Sequence, residues 1–450
     1  MEGVQDMIQP DILRNQIDLI REVFLYANRF RGATFVVKLD SSLHDSSALS
    51  GLVSDLSLLR QHGIRIVIVP GARKRIDEIL VRYGQQAEHV DGLRITPEQS
   101  IPLIKMAAFD VANRIMTELS ARGISAVIGN WVRARGFGIS GGIDFQHTGS
   151  VERVQREVLE RVMNDAMIPI VPCIGWSATG APYNVSSDEL AVQIAGSLAA
   201  EKLFFVTDGP SDSSLKLVLP SDVIREDDGR MSRLTVSQAE SVIELNEHQK
   251  DLPAILRLRH TIRALRSGVK RVHIVDGTID GFVLKEIFSN LGIGTMVHAN
   301  EYESVRPMMS EDLTDVLRLM QPYIDRGLLL HRDEDALRGA LGEYAVSEVD
   351  GTIRACCALH ALSGNRGEIA ALAVDERFKH LGIGEKLVNY QLDRARGRGM
   401  TAVFALTTGA TDWFLQIGFR NGTIADLPDE RRERYDESRK PKVLVYSTNA

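Results

Sequence analysis

Leu372-Ala-Val-Asp-Glu-Arg-Phe-Lys-His-Leu-Gly-Ile-Gly-Glu-Lys-Leu387 joins the end of an apolar run to the start of a helical pattern through two glycines. The apolar run, residues 369–374, predicts a buried strand, and the apolar spacing from Leu387 onward predicts a helix. A strand, a glycine loop and a helix start can bind phosphate, because the first N–H groups of a helix have no partner within it. A lone Gly382-x-Gly384 is more often an ordinary turn. The rest of the chain decides between these interpretations.

Composition places the chain among globular proteins of two or three domains. It has 450 residues, of which 44% are hydrophobic and 25% charged. Its net charge of −7 argues against binding to nucleic acid or to an anionic membrane. It has no run of about 18 apolar residues, and its first residues lack the apolar segment of a signal peptide. Its 3 cysteines have no metal-ligand spacing, so we expect no bound metal. These features together predict a cytoplasmic protein.

The first two thirds of the chain predict an α/β domain. Residues 11–31 predict an amphipathic helix, and strands and helices then alternate from about Thr34 to Val297. One of these strands is predicted over residues 167–174. Such alternation is typical of a mostly parallel sheet with helices on both faces.

A different pattern begins near Val305. It predicts a helix over residues 313–323, a hairpin turn at Val349-Asp350-Gly351 and several strands, which together indicate a second, smaller α/β domain. The predicted division is an N-terminal helix over 1–31, a first domain over 32–299 and a second domain over 304–450.

The glycine loop carries a family resemblance. Lys379-x-x-Gly382-x-Gly384 resembles the acetyl-CoA loop of the GCN5-related N-acetyltransferases, which prefer Arg or Gln at the position of Lys379. The stretches Gly367–Ala370, Leu406-Thr407-Thr408, Trp413-Phe414, Gly418-Phe419 and Arg439–Leu444 resemble the second domain of the N-acetylglutamate synthase family.

The first domain resembles the amino-acid kinase fold, in particular its N-acetylglutamate kinase branch. The matching stretches are Val36-Val37-Lys38-Leu39, residues 183–188, residues 267–274 and residues 291–295. The order of these motifs implies an α/β protein with an amino-acid kinase-like parallel-rich sheet sandwiched by helices, followed by a smaller mixed-sheet acetyltransferase domain. This is the architecture of the N-acetylglutamate synthase family.

The resemblance implies an amino-acid N-acetyltransferase that transfers acetyl from acetyl-CoA to the α-amine of L-glutamate, the first step of arginine biosynthesis. Glu368, directly or through a water, is the candidate base, although a solvated strand end is the alternative reading of this residue. No tyrosine stands in residues 411–418 to protonate the leaving thiolate, so Thr407 or Tyr435 are the weaker candidates for that role. The candidate acetyl-CoA contacts are Leu372, Ala373, Val374, Lys379, His380, Leu381, Gly382, Ile383 and Gly384.

Glutamate has two carboxylates, so its site needs cations. Arg332 and Arg439 match positions that hold substrate in relatives, and Lys442 is close to Arg439 in sequence. An arginine pair would clamp the carboxylates through its fork geometry. A surface salt bridge is the alternative for each. Pro441 replaces the serine that the family commonly has, which puts one hydroxyl contact in doubt.

The kinase-like domain departs from the kinases at the phosphate loops. Asp40-Ser41 and Pro70-Gly71-Ala72-Arg73 stand where the kinases have glycines, although Lys38 and Asp188 are kept. Side chains there would block phosphate, which favours a regulatory domain without kinase activity. The resemblance to arginine-sensitive relatives implies that this domain binds L-arginine as a feedback inhibitor. A core histidine and a solvated helix face are the alternatives for His273 and Glu286. The candidate arginine contacts are Tyr26, Lys202, His273, Glu286, Gly292, Gly294 and Thr295.

Two further functions stay open at this point. The chain could be a bifunctional synthase–kinase, or an arginine sensor in which both active sites have lapsed. Relatives form hexamers partly through the N-terminal helix, so a homo-hexamer is expected.

Overall fold

A computed structural model describes residues 28–45, 47–90, 92–209, 217–223, 225–226, 229–288, 292–299, 303–349, 352–436 and 439–448. These residues form two compact units that divide the chain between Asn300 and Glu301. Within the described ranges, no helix combines the length and the hydropathy that a bilayer crossing needs. The helix predicted over residues 11–31 lies almost entirely outside the described residues.

The first unit alternates strands and helices, as the sequence predicts. Its strands are β1 (Thr34–Leu39), β2 (Arg65–Pro70), β3 (Glu88–Val90), β4 (Leu93–Ile95), β5 (Ala126–Ile128), β6 (Val132–Gly136), β7 (Ile139–Ser140), β8 (Ile143–Asp144), β9 (Thr148–Val154), β10 (Ile168–Ile170), β11 (Ile174–Trp176), β12 (Pro182–Val185), β13 (Lys202–Thr207), β14 (Arg233–Thr235), β15 (Arg271–Asp276) and β16 (Thr295–His298). Its helices are α1 (Ala48–Gln61), α2 (Arg73–Arg82), α3 (Ile101–Ser120), α4 (Arg156–Asn164), α5 (Ser187–Ser197), α6 (Val236–Leu245), α7 (Pro253–Arg266) and α8 (Phe282–Phe288).

A parallel-rich sheet forms the centre of this unit and confirms the predicted fold class. In the described part of the chain it has eight strands in the order β14-β16-β15-β13-β1-β2-β10-β5, and β15 and β16 form its antiparallel pair. All six residues of β1 are buried, so both faces of that strand are covered, as is usual for parallel sheets. The carboxyl ends of these strands, where ligands bind in such sheets, carry Asp40 and Thr207.

The strand predicted over residues 167–174 is wrong as a single element. The chain leaves the central sheet after β10 and enters a small closed barrel of β11, β12, β9 and β6. Pro172 lies between the two strands and has no N–H to give to a ladder, which ends the first pairing. The barrel and helices α4 and α6 are not predicted by the sequence analysis.

The second unit consists of one mixed sheet and its helices. Its strands are β17 (Glu303–Pro307), β18 (Tyr344–Val349), β19 (Thr352–Leu362), β20 (Arg366–Val374), β21 (Ala402–Thr407), β22 (Arg420–Asn421) and β23 (Lys442–Ser447). Its helices are α9 (Leu313–Asp325), α10 (Glu334–Gly339), α11 (Ile383–Gly397), α12 (Thr411–Gln416) and α13 (Asp429–Arg432).

The strand order in this sheet is β17-β18-β19-β20-β21-β23-β22. All described pairs are antiparallel except β20 with β21, which run parallel. Helix α11 buries Leu387, Val388 and Leu392 in the core of this unit, at the spacing that the sequence shows. Helix α9 packs on a second cluster that includes Ala371 and Ala373 of β20.

Candidate active site

Strands β20 and β21 open a cleft in the second unit. Their described pairing ends at Ile369 and Ala405, although β20 continues to Val374. A β-bulge follows, because Ala371 and Leu372 together face one residue of β19. Ala371 has a φ of 51°, a left-handed conformation that an L-residue adopts at a cost of about 1–3 kcal/mol. The bulge therefore turns the strand where its neighbour ends.

The cleft leads into a cavity of about 550 Å³ whose wall is rich in charge. Among the described residues its lining includes four arginines, Arg332, Arg431, Arg434 and Arg439. It also includes three carboxylates, Glu368, Glu430 and Asp436. Such a wall fits a small ligand that carries carboxylates of its own.

Glu368 lies in this wall, as the sequence analysis predicts, but it is not a solvated strand end. Only 8% of the residue is exposed. Both of its carboxylate oxygens accept hydrogen bonds from Arg431, at 2.6 Å from Nε and 2.9 Å from Nη2. A proton acceptor must first give up part of this bidentate pair. Glu368 is therefore a candidate base that Arg431 holds in place.

His360 lies beside Glu368 on the neighbouring strand. The two residues are paired across β19 and β20, and side chains that are paired in this way share one face of a sheet. Nδ1 of His360 contacts Glu343, and Nε2 lies 3.5 Å from Nη2 of Arg332. Nε2 therefore faces the cavity as a second group that can accept a proton.

The predicted substrate cations are only partly brought together. Arg332 and Arg439 both line the cavity, and Nη2 of Arg439 donates to the carbonyl of Gly327 at 2.5 Å. Lys442 is exposed at the start of β23 and is not among the lining residues. Its role in substrate binding stays a prediction that the geometry does not support.

The predicted acetyl-CoA loop adopts a shape that needs its glycines. Gly382 has a φ of 70° and stands at the N-terminal cap of α11, where no side chain caps the helix. A Cβ on Gly384 would lie 3.3 Å from Val374 and 3.4 Å from Trp413. The N–H groups of the first turn of α11 can therefore meet an anion.

The remaining candidates for the cofactor lie around this loop. Leu372, Ala373 and Val374 end β20, and His380 and Leu381 belong to a short 3₁₀ helix, Glu376–Leu381, before Ile383. Lys379 donates to Glu376 at 2.9 Å, and its ammonium lies 5.2 Å from the ring centroid of Tyr323.

Thr407 ends β21 on the other side of the cleft. Its Oγ1 accepts hydrogen bonds from the N–H groups of Gly409, at 3.3 Å, and Ala410, at 2.9 Å. Two donors on one hydroxyl oxygen make its own proton easier to give. Tyr435, the other candidate acid, donates to the carbonyl of Pro441 at 2.6 Å. Neither residue is among those that line the cavity, so the role of each as the acid stays a prediction.

The first unit contains a buried polar network of three side chains, Lys202, His273 and Glu286. Nζ of Lys202 lies 3.3 Å from Nε2 of His273, whose Nδ1 lies 2.6 Å from Glu286. The other oxygen of Glu286 accepts from the N–H groups of Ile293, at 2.7 Å, and Gly294, at 2.9 Å. Lys202 also lies 5.2 Å above the ring of Phe30.

The charge states of the side chains in this polar network follow from their burial. Burial and, to a smaller extent, the Lys202 ammonium lower the pKa of His273 to about 4 although Glu286 acts in the opposite direction, so the ring is neutral at pH 7. Burial alone would raise the pKa of Glu286, but the hydrogen bonds from His273, Ile293 and Gly294 outweigh it and hold this pKa below its usual value. A neutral imidazole thus bridges a cation and a carboxylate.

The predicted arginine contacts largely converge on this polar network. Gly292 and Gly294 flank the amides that Glu286 accepts from, and Thr295 follows at the start of β16. The glycines are required, because a Cβ on Gly294 would lie 2.3 Å from the carbonyl of Ile274. Glu286 is buried and does not lie on a solvated helix face, and both of its oxygens accept hydrogen bonds within the unit. Its pairing with a guanidinium stays a prediction, and it requires Glu286 to give up part of these bonds. Tyr26 lies outside the described residues.

In the first unit, ion pairs between the protein's own side chains occupy the position where a kinase would bind phosphate. The ammonium of Lys38 contacts Asp40 and lies 2.9 Å from Asp188, and Arg257 lies 3.3 Å from Asp40. Burial lowers the pKa of Lys38, but Asp188 and Asp40 outweigh this effect and keep it above the usual value. A Cβ on Gly71 would lie 2.8 Å from the carbonyl of Leu39, so the loop after β2 closes on the loop after β1.

The sequence analysis missed Arg431, Arg434 and His360. Arg431 stands in the short helix α13, and nothing local marks it among the many arginines around it. His360 is a single histidine in an apolar strand, which is more often a core residue. Its position opposite Glu368 depends on the register of β19 and β20, which no local sequence signal gives. Among the described residues no cluster of histidine, cysteine, aspartate and glutamate side chains is placed to hold a metal ion.

Two family models match the two units. The amino acid kinase family matches residues 33–276, and the acetyltransferase (GNAT) family matches residues 306–419. The amino-acid acetyltransferase of Ralstonia nicotianae is 32% identical over 95% of this chain and 94% of its own length. The amino-acid acetyltransferase of Escherichia coli is 30% identical over 93% of this chain and 95% of its own length.

Two crystal structures of the N-acetylglutamate synthase from Neisseria gonorrhoeae resemble this chain along 96% of its length and 99% of theirs. The complex with coenzyme A and L-arginine has a TM-score of 0.80 and 30% identity. The complex with coenzyme A and N-acetylglutamate has a TM-score of 0.59 and 31% identity. With a kinase-like unit and a GNAT unit in this order, and with these relatives along nearly its whole length, the chain belongs to the amino-acid acetyltransferase family.

Proposed function

We propose that this chain transfers the acetyl group of acetyl-CoA to the α-amine of L-glutamate, which gives N-acetyl-L-glutamate and CoA, the first step of arginine biosynthesis. The observation that carries the proposal is the arginine-rich cavity at the open end of β20 and β21. Its lining includes Ala370 and Ala371 of β20, the strand that leads into the glycine loop, where a cofactor phosphate would bind. The relative from Neisseria gonorrhoeae holds coenzyme A and N-acetylglutamate.

The arginines of the cavity recognise the two carboxylates of glutamate. Arg439 and Arg332 each present a guanidinium to the cavity, and Arg431 presents a third that is bound to Glu368. A substrate carboxylate competes with Glu368 for Arg431. Substrate binding thus loosens the pair that restrains the candidate base.

Proton transfer precedes attack, because the α-amine of glutamate is mostly protonated at neutral pH. Glu368 accepts that proton, directly or through a water, once Arg431 turns to the substrate. Thr407, whose oxygen accepts from two backbone amides, donates a hydrogen bond to the leaving thiolate of CoA and keeps its proton, because an alcohol is a weaker acid than a thiol.

The loop before α11 fits the phosphates of acetyl-CoA, which supplies the activated acetyl group as its thioester. The uncapped helix start at Gly382 faces the pyrophosphate, and Lys379 adds a positive charge beside it. The backbone of residues 372–374 pairs with the pantetheine arm. His380, Leu381 and Ile383 complete the loop, and Gly384 lets α11 pack close to β20.

The proposed reaction is tested by CoA release from acetyl-CoA in the presence of different amino acids. We expect turnover with L-glutamate to exceed that with L-glutamine and L-aspartate by about 10- to 100-fold in kcat/KM. Glutamine lacks the side-chain charge, and the carboxylate of aspartate is one methylene too short to reach the same arginine. Mass spectrometry should identify N-acetyl-L-glutamate as the product. No turnover with glutamate would contradict the proposal, and would favour a lapsed enzyme that only senses arginine.

The first unit acts as a regulatory domain that binds L-arginine as a feedback inhibitor. The relative from Neisseria gonorrhoeae is bound to L-arginine, and the buried carboxylate of Glu286 offers the matching charge here. Tyr26, which lies outside the described residues, is a further predicted contact of this site.

We extend the proposal to three further properties of the protein. They are the domain division at 32–299 and 304–450, a homo-hexamer built partly through the predicted helix over residues 1–31, and a cytoplasmic location.

A second activity as a kinase is disfavoured by the position of Asp40. Its carboxylate pairs with the ammonium of Lys38, which would otherwise face a phosphoryl group. It also brings a negative charge to the place where the phosphoryl group would bind. We expect no acyl phosphate above background when ATP and N-acetyl-L-glutamate are supplied, measured by hydroxylamine trapping. If product does form, and if Lys38→Met removes it, the chain is bifunctional and the regulatory reading of this unit is incomplete.

A further inference from the structure

The hydroxyl of Tyr323 contacts both backbone polar groups of one residue at the end of β20. It donates to the carbonyl of Val374 at 2.6 Å and accepts from the N–H of the same residue at 3.3 Å. Tyr323 stands near the end of α9, in a different part of the unit's sequence. A side chain that satisfies both groups of one strand residue takes the place of a neighbouring strand.

These two backbone groups point into the cleft. The N–H of Asp375 donates to the carbonyl of Arg354 on β19 at 2.8 Å. Successive residues of a strand direct their backbone groups to opposite sides, so the groups of Val374 point away from β19 and toward β21. The described pairing with β21 has already ended at Ile369. Tyr323 therefore fills a gap in the sheet.

The pantetheine arm of CoA needs the same two groups. It carries amides whose donors and acceptors can pair with a strand edge as a peptide does. The N–H of Val374 has a single hydrogen to donate, so it cannot bond the hydroxyl of Tyr323 and a pantetheine carbonyl with good geometry at the same time. We propose that Tyr323 is a placeholder, which bonds Val374 while the cleft holds no cofactor and is displaced when pantetheine binds. The proposal rests on the use of acetyl-CoA argued above.

The surroundings of Tyr323 allow this displacement. Pro322 precedes it and has no N–H, so the last turn of α9 has one hydrogen bond fewer than an ordinary helix. The ring of Tyr323 also faces the ammonium of Lys379, which lies on the cofactor loop. A phosphate that attracts Lys379 would weaken this contact. Both ends of the cofactor thus act on the same tyrosine.

Tyr323→Phe tests the proposal by removing only the hydroxyl. We expect the full-length variant to bind CoA about 3- to 10-fold more tightly in calorimetry, because CoA no longer displaces a hydrogen-bonded hydroxyl. Binding of adenosine bisphosphate, the part of CoA that lacks the pantetheine arm, should stay unchanged.

Tyr446→Phe is the matched control. It removes a hydroxyl that accepts from Arg396 at 2.6 Å in the same unit, and it should leave the affinity for CoA unchanged. Unchanged or weaker CoA binding by Tyr323→Phe, with a parent chain that binds CoA, would overturn this inference alone. A parent chain that does not bind CoA would overturn the proposed function and this inference with it.

Discussion

Glu368→Gln is expected to lower kcat by about 100- to 10,000-fold, the range that removal of a general base produces. Glutamine keeps the shape of the side chain and an oxygen that can still accept from Arg431, so the cavity wall is preserved. The KM for acetyl-CoA should not change. The KM for glutamate should not rise, because Arg431 loses an ionic competitor for the substrate carboxylate. Steady-state kinetics of CoA release measures all three values.

A control for this variant exists in the same unit. Glu348→Gln removes a carboxylate that lies 3.0 Å from Arg306, away from the cavity lining, and should leave kcat near that of the parent. A Glu368→Gln enzyme that turns over within about threefold of the parent would show that another group takes the proton. His360, opposite Glu368 on β19, is then the next residue to replace.

Glu286→Ala is expected to abolish inhibition by L-arginine and to spare most of the turnover measured without arginine. A charge-assisted pair with the guanidinium is lost, so the concentration for half-inhibition should rise by at least about 10- to 100-fold. The same change leaves the amides of Ile293 and Gly294 without their acceptor, which costs about 1–3 kcal/mol for each buried group. Inhibition curves and thermal unfolding separate the two effects.

Two further variants complete this experiment. Glu286→Gln keeps an acceptor for the loop amides but not the charge, so it should lose arginine inhibition while it unfolds at a temperature closer to that of the parent. Glu240→Gln removes a carboxylate from a surface pair with Arg266 in the same unit and should keep full inhibition. Full inhibition in Glu286→Ala would place the arginine site elsewhere.

Much of the fold could be predicted because its signals are local. The apolar run before Gly382 and the helical spacing after it are contained in one short segment, and they form β20 and α11 as expected. The family resemblance adds the order of the two domains. The barrel was not predictable in this way, because an apolar run does not show that its residues change sheets at Pro172.

The candidate site could be predicted where single residues match a family motif. Glu368, Arg332 and Arg439 line one cavity. Lys202, His273 and Glu286 form the buried polar network. Their assigned roles stay predictions.

What escaped prediction depends on partners that are distant in sequence. Arg431 reaches Glu368 from a short helix 63 residues away, and the register of β19 alone places His360 beside it. One oxygen of Glu286 accepts hydrogen bonds from a loop that was predicted to be part of the ligand site. Neither the register nor these hydrogen bonds can be read from residue type or spacing.

The hydrogen bonds between Glu286 and the loop amides bear directly on the proposed inhibition. An effector that takes this carboxylate gains a guanidinium pair and gives up two backbone hydrogen bonds, so its apparent affinity is the difference between them. In that proposal, substitutions that weaken these two hydrogen bonds would lower the threshold concentration of arginine. The strength of the internal bonds would then act as a set point for the inhibition, and it could be adjusted without any change in the catalytic cavity.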